Sequence, residues 1–218
     1  MHQEQQASSL DTLREIRTIM ERSARLLSLS GWSGIWAGLV ALAGSAIAYV
    51  WLQTAGPGTF EPAAYTPMEH ATARDTGINN LLLLALVVFL VALAGGYYFT
   101  YRKNKKQGIS IWNSASRKMI VSMMIPIAAA ALLILVFLYQ GDLQYVVPVC
   151  LILYGMALFN GSRYTISDIR YLGILEIILG CIALFVSGWV WSLYLWAFGF
   201  GVLHILYGII MWRKYDQQ

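Results

Sequence analysis

Residues 79–106 read NNLLLLALVVFLVALAGGYYFTYRKNKK. From Asn79 to Tyr101 no side chain carries a charge, and the run matches the ~20 mostly apolar residues a helix needs to cross hydrocarbon. It closes on Tyr97, Tyr98 and Tyr101, aromatic rings of the kind that settle at a membrane–water interface, and then on Arg102, Lys103, Lys105 and Lys106. An apolar helix with one basic end is the repeating unit of the chain.

Five further runs have the same character: Gly31 to Leu52, Met119 to Gln140, Val146 to Asn160, Tyr171 to Gly188 and Ser192 to Trp212. The composition agrees, with 58% hydrophobic and 12% charged residues where a soluble domain has about half and a quarter. The pattern predicts an all-α fold, a polytopic membrane helix bundle of six transmembrane helices forming one membrane domain over residues 31–214. Too little chain remains for a separate soluble domain.

Charge orders the spans. Fourteen of the fifteen Lys and Arg residues fall on one side of the six-segment pattern, and only Arg74 falls on the other. Basic residues beside membrane segments hold their loops in the cytoplasm, so both termini are expected inside a bacterial inner membrane, with residues 53–78 as a non-cytoplasmic loop. The first span is longer than a signal-peptide core and follows thirty polar residues, so its retention is expected. The same topology accounts for the net charge of +4, and membrane lipid rather than nucleic acid is the expected partner.

Residues 1–30 predict an amphipathic helix. Leu10, Leu13, Ile16, Met20, Ala24 and Leu27 recur at helical spacing, while Arg14, Glu15, Arg17, Glu21, Arg22 and Arg25 occupy the other face. Such a helix lies on the cytoplasmic leaflet; alternatively, residues 10–27 dock a protein partner or a second copy of the chain. In the loop, Glu61, Glu69, His70 and Asp75 lack a ligand spacing, so neither a metal nor a cofactor is expected. Cys150 and Cys181 read as small hydrophobes within spans.

Two ionisable residues interrupt the apolar runs. Glu176 lies about six residues inside the cytoplasmic start of the fifth span and His204 about eight inside the cytoplasmic end of the sixth, depths of ~9 and ~12 Å. Charged groups at such depths are costly and face the bundle interior, so the two form a candidate intramembrane polar pair: a proton relay, a seat for a cationic ligand, or a structural hydrogen bond between helices. A second candidate is the polar turn before the fifth span, with Asn160, Arg163, Tyr164, Asp168 and Arg170. Thr165 and Asp168 have capping-box spacing, and Asn160 with Tyr164 would line a cytoplasm-facing pocket near Glu176.

Gly34 and Gly38 form a GxxxG pair suited to close helix packing. Pro126 and Pro148 are sites of expected kinking in the third and fourth spans. Ile152-Leu153-Tyr154-Gly155 returns as Ile205-Leu206-Tyr207-Gly208, and Gly96-Tyr97-Tyr98 ends the second span in a related way, so three parallel hairpins are a candidate internal repeat.

The run from Phe159 to Gly173, with Leu26-Leu27-Ser28-Leu29-Ser30-Gly31 leading into Gly34 and Gly38, resembles a family of bacterial multi-pass membrane proteins of unassigned activity. The resemblance implies an inner-membrane location and no mechanism. With no catalytic motif, the expected role is that of an accessory, interaction or regulatory subunit and not an enzyme. The alternatives are a small-molecule or proton-coupled transporter and, third, an intramembrane enzyme acting on lipid.

Overall fold

The computed structural model describes residues 30–54, 71–108, 110, 112, 114–140, 142–186 and 188–217. The amphipathic segment, including residues 10–27, and Glu61, Glu69 and His70 of the loop lie outside the described residues.

The described chain is helical and contains no strand. Its helices are α1 (Gly31–Thr54), α2 (Ala71–Lys106), α3 (Ser114–Gln140), α4 (Val146–Gly161) and α5 (Ile169–Ala183), followed by a last rod in four pieces. That rod is α6 (Trp189–Trp196), a π-helical segment Ala197–Leu203, α7 (His204–Met211) and a closing π-helical stretch Trp212–Asp216. Five stretches, Gly31–Thr54, Asp75–Lys106, Ser116–Gln140, Leu143–Gly161 and Val190–Asp216, are long and apolar enough to cross a membrane. Their outward surfaces carry Leu83, Leu86, Leu90, Ile125, Leu132 and Leu135, all more than half exposed, a surface that water would not tolerate over so large an area.

Several boundaries differ from the sequence reading. α2 starts at Ala71 instead of Asn79, so residues 71–78 of the expected loop are helical. Hydropathy marks where a helix leaves hydrocarbon, whereas backbone hydrogen bonding continues into water; at 36 residues α2 is ~54 Å long against a core of ~30 Å. α5 ends at Ala183 instead of Gly188, which makes it ~22 Å long. The chain then turns through Gly188, whose φ of +102° is open to glycine and strained for any L side chain. Pro126 sits within an unbroken α3, and Pro148 occupies the first turn of α4, where its missing N–H leaves no helical bond unmade.

Two tight helix pairs form the centre. α1 packs on the last rod through a seam of glycines, where a Cβ on Gly34 would stand 3.0 Å from the Gly208 Cα and one on Gly38 2.6 Å from the Gly201 carbonyl oxygen. α4 and α5 are as close, since a Cβ on Gly155 would meet the Gly173 carbonyl at 2.5 Å and one on Gly180 the Ile152 backbone nitrogen at 2.9 Å. Small residues let backbones approach where no hydrophobic effect drives helices together. Leu151, Leu179 and Ala183, packed by Leu195 and Phe200, join the two pairs.

α2 and α3 flank this centre on separate supports. α2 leans on α1, where the Trp36 indole N–H donates to the Val91 carbonyl at 3.0 Å and the ring covers Gly95. α3 packs on α4, with Met119 and Met123 over Gly161. No extended packing joins α2 to α3. A cleft therefore separates them.

The start of α1 and the end of the last rod fasten one edge of that cleft. The Asp216 carboxylate accepts from the Gly31 backbone N–H at 3.0 Å and the Ser30 hydroxyl at 3.3 Å, so it satisfies a free donor at the positive end of α1. Its other oxygen pairs with the Lys103 ammonium of α2 at 2.6 Å. The first, second and last helices are thereby tied at the basic end.

Candidate functional site

Glu176 and His204 stand together inside the bundle. Glu176 comes from the buried face of α5 and is fully inaccessible; His204 opens α7 and is 5% exposed. The ring Nδ1 lies 3.0 Å from the Gly199 carbonyl and 3.4 Å from Glu176 Oε1, and Nε2 lies 2.9 Å from the Tyr154 hydroxyl. In the neutral ring, Nδ1–H donates to Gly199 and Tyr154 donates to Nε2. Neither Glu176 oxygen has a hydrogen-bond donor among the described residues, and 3.4 Å is long for a bond to the imidazole. The arrangement is a buried carboxyl beside a histidine already held at both nitrogens. Tyr154 and His204 are hydrogen-bonded to each other, and the Glu176 carboxyl stands beside them outside that chain.

The π-helical segment builds this geometry. Stretches of π-helix are rare and recur at functional sites because the wider turn re-aims side chains and frees backbone groups. Here the turn directs the Gly199 carbonyl at the His204 ring. It also leaves no side chain at 199, where a Cβ would lie 2.6 Å from Glu176 Oε2 and 2.8 Å from a Leu151 methyl. Phe200 completes the cluster, with its ring 5.0 Å from Tyr154, 5.1 Å from Trp196 and 5.9 Å from His204.

Two cavities lie on either side of that segment. The larger, about 770 Å³, occupies the basic half and is lined among others by Tyr97, Met123, Tyr154, Leu158, His204 and Tyr207. The smaller, about 180 Å³, occupies the opposite half, with Ser45, Leu52, Val88, Leu138, Cys150 and Trp196 in its wall. α1, α2, α3, α4 and the last rod contribute to both. Along the last rod the lining passes from Trp196 directly to His204, so the part that lines neither cavity is the π-helical segment.

The polar turn is spent on the surface of the basic end. Asp168 stands at the N-cap of α5 but makes no side-chain cap; its carboxylate accepts from the Lys214 ammonium at 2.6 Å and the Tyr215 hydroxyl at 3.2 Å. The capping-box expectation is corrected accordingly, because a nearby ammonium is the stronger partner. Arg170 donates to the Tyr171 hydroxyl at 2.8 Å, which holds the guanidinium above its already high ordinary value, and Arg163 is exposed. Tyr164 borders a shallow basic hollow with Trp112, Arg117 and Lys118, whereas Asn160 is half-buried at the end of α4 and lines neither that hollow nor the large cavity. The turn and the Glu176–His204 pair are separate features.

Sequence reading missed Tyr154, Tyr207 and Gly199 as site residues and missed Phe200 altogether. The recurring Tyr-Gly pairs carried a signal. Tyr97 of α2, Tyr154 of α4 and Tyr207 of α7 come from the three helices that run toward the basic end, and all three line the same cavity. Among the described residues no group of His, Cys, Asp and Glu has the arrangement to hold a metal, and both cysteines are free. Compared with known proteins, the chain matches no family model, no curated protein and no solved structure.

Proposed function

We propose that this chain is a small-molecule carrier of the bacterial cytoplasmic membrane, with both termini in the cytoplasm, and that it belongs to the uncharacterised family it resembles between Phe159 and Gly173. The basic end then faces the cytoplasm, as the distribution of Lys and Arg favours. One observation carries the reading: two cavities in opposite halves share five walls, and along the last rod their linings are parted by a π-helical segment bearing Gly199, Phe200 and Gly201. A carrier needs a central site exposed to one side at a time, and irregular backbone at mid-depth is tolerated where it borders a cavity. Glu176 and His204, packed against Gly199 of that segment, supply a titratable couple for its movement. No catalytic role is assigned to any residue. The accessory-subunit reading rests on residues 10–27, outside the described residues, on the basic loops, and on the lack of a charged pathway across the spans.

Cysteine accessibility tests the proposal. With Cys150 and Cys181 replaced by Ala, Ala37→Cys reports the larger cavity and Leu52→Cys the smaller, each probed in sealed vesicles with a membrane-impermeant maleimide. A carrier labels residue 37 from the cytoplasmic side and residue 52 from the outer side. Glu176→Gln then shifts the two rates in opposite directions. Rates that move together, or do not move, contradict alternating exposure.

A further inference from the structure

We infer that the large cavity binds an uncharged amphiphile, a lipid with a carbonyl or hydroxyl head on a long apolar tail, which enters sideways between α2 and α3. The inference rests on the carrier reading and names its substrate class. Three observations converge on it.

The first is the opening. Leu93 and Tyr97 of α2 and Ile120 of α3 all line the cavity, yet they are 54%, 65% and 41% exposed. A wall residue that is still exposed borders an entrance, and this entrance lies in the cleft between two apolar, lipid-facing helices. Molecules dissolved in the bilayer reach it directly.

The second is the lining. Met119, Ile120, Met123, Leu158 and Leu172 form apolar walls, and Lys105 at the outermost level is the one formally charged side chain among the lining residues. An anionic head carried down to the Tyr154–His204 level leaves water and finds no cationic side chain among the lining residues there. A cationic head must pass Lys105 at a mouth set among basic residues and gains no carboxylate in the wall. An uncharged head meets neither cost.

The third is the Tyr207 hydroxyl. It is buried in the cavity wall and has no hydrogen-bond partner among the described residues. A buried hydroxyl without a partner is expensive, and a ligand oxygen at this depth removes the penalty once the ring turns its hydroxyl, now closed to the cavity, toward it. A saturated chain would leave it unmet. Tyr207 lies about one helical turn nearer the mouth than His204, so a head seated there leaves its tail free to run out along the cleft. A volume of about 770 Å³ lies within the usual range of small-molecule sites.

Monoolein and oleate share one chain and differ in head charge, and decylubiquinone offers the same neutral oxygen chemistry on a ring. Each is titrated into the full-length protein in maltoside detergent, with the thermal midpoint as readout. Monoolein or decylubiquinone is expected to bind at least about tenfold more tightly than oleate, and which of the two does so separates an acylglycerol from a quinone source. Tyr207→Phe is expected to weaken that binding about tenfold, the loss of one hydrogen bond to a buried group, while Tyr171→Phe, on an exposed ring, leaves it unchanged. A monodisperse Tyr207→Phe protein with a wild-type midpoint before addition excludes misfolding as the cause. Equal or tighter binding of oleate, or wild-type binding by a folded Tyr207→Phe, overturns the inference. Reciprocal labelling at residues 37 and 52 without neutral-lipid binding removes this substrate class and leaves the carrier; binding without reciprocity removes the carrier and leaves the site.

Discussion

Glu176 is placed at a depth where a carboxyl must justify its desolvation. Its neighbours are a histidine with both nitrogens engaged, a glycine with no room for a methyl, and the side chains of Leu151 and Leu179. Glu176→Gln keeps shape and removes charge and proton. We therefore expect wild-type membrane levels and a near-wild-type thermal midpoint in detergent, with altered accessibility of the cavities; loss of the protein from membranes would make the carboxyl a structural element only. Gly199→Ala is different in kind. Its methyl meets Glu176 Oε2 at 2.6 Å and a Leu151 methyl at 2.8 Å, so the π-helical turn must shift, with an expected destabilisation of about 1–3 kcal/mol measured by thermal or denaturant melting. A midpoint unchanged in Gly199→Ala would mean that the contact is loose.

At the scale of helices, the chain is fastened by close glycine seams and by one carboxylate. Asp216→Ala removes the anion at the start of α1 and its pairing with Lys103, and is expected to cost about 1–2 kcal/mol and to raise proteolysis near the basic end of α2. Protection equal to wild type would show that Trp36 on Gly95 holds α2 without the clasp. Gly188→Ala, at φ +102°, is expected to cost about 1–3 kcal/mol, because an L side chain is strained there. The helices themselves were legible in the sequence, since continuous apolar runs such as Asn79 to Tyr101 admit little else in a membrane. Helix ends were not: the start of α2 at Ala71 and the stop of α5 at Ala183 depend on polar hydrogen bonding and on a turn that hydropathy does not record. Glu176 and His204 stood out as ionisable groups in apolar runs. Phe200 and Gly199 gave no such signal, because an aromatic and a glycine in an apolar run look like packing until the π-helical turn places one beside Tyr154 and the other beneath the imidazole.

As a whole, the molecule is a pair of glycine-seamed helix pairs flanked by α2 and α3, which touch the centre but make no extended contact with each other. On the carrier reading these flanking helices are the parts free to move, and the π-helical segment is the barrier between halves. The direct test is the distance between them. Spin labels at Lys106 and Lys118 report the basic end of α2 and α3, and labels at Leu82 and Tyr139 report the other end, all four being exposed positions. Pulsed electron resonance in nanodiscs, on protein lacking Cys150 and Cys181, compares wild type with Glu176→Gln. The account predicts that one pair of labels draws together as the other separates. Single, unchanged distances at both ends in both proteins would contradict it and describe a rigid bundle with two static voids.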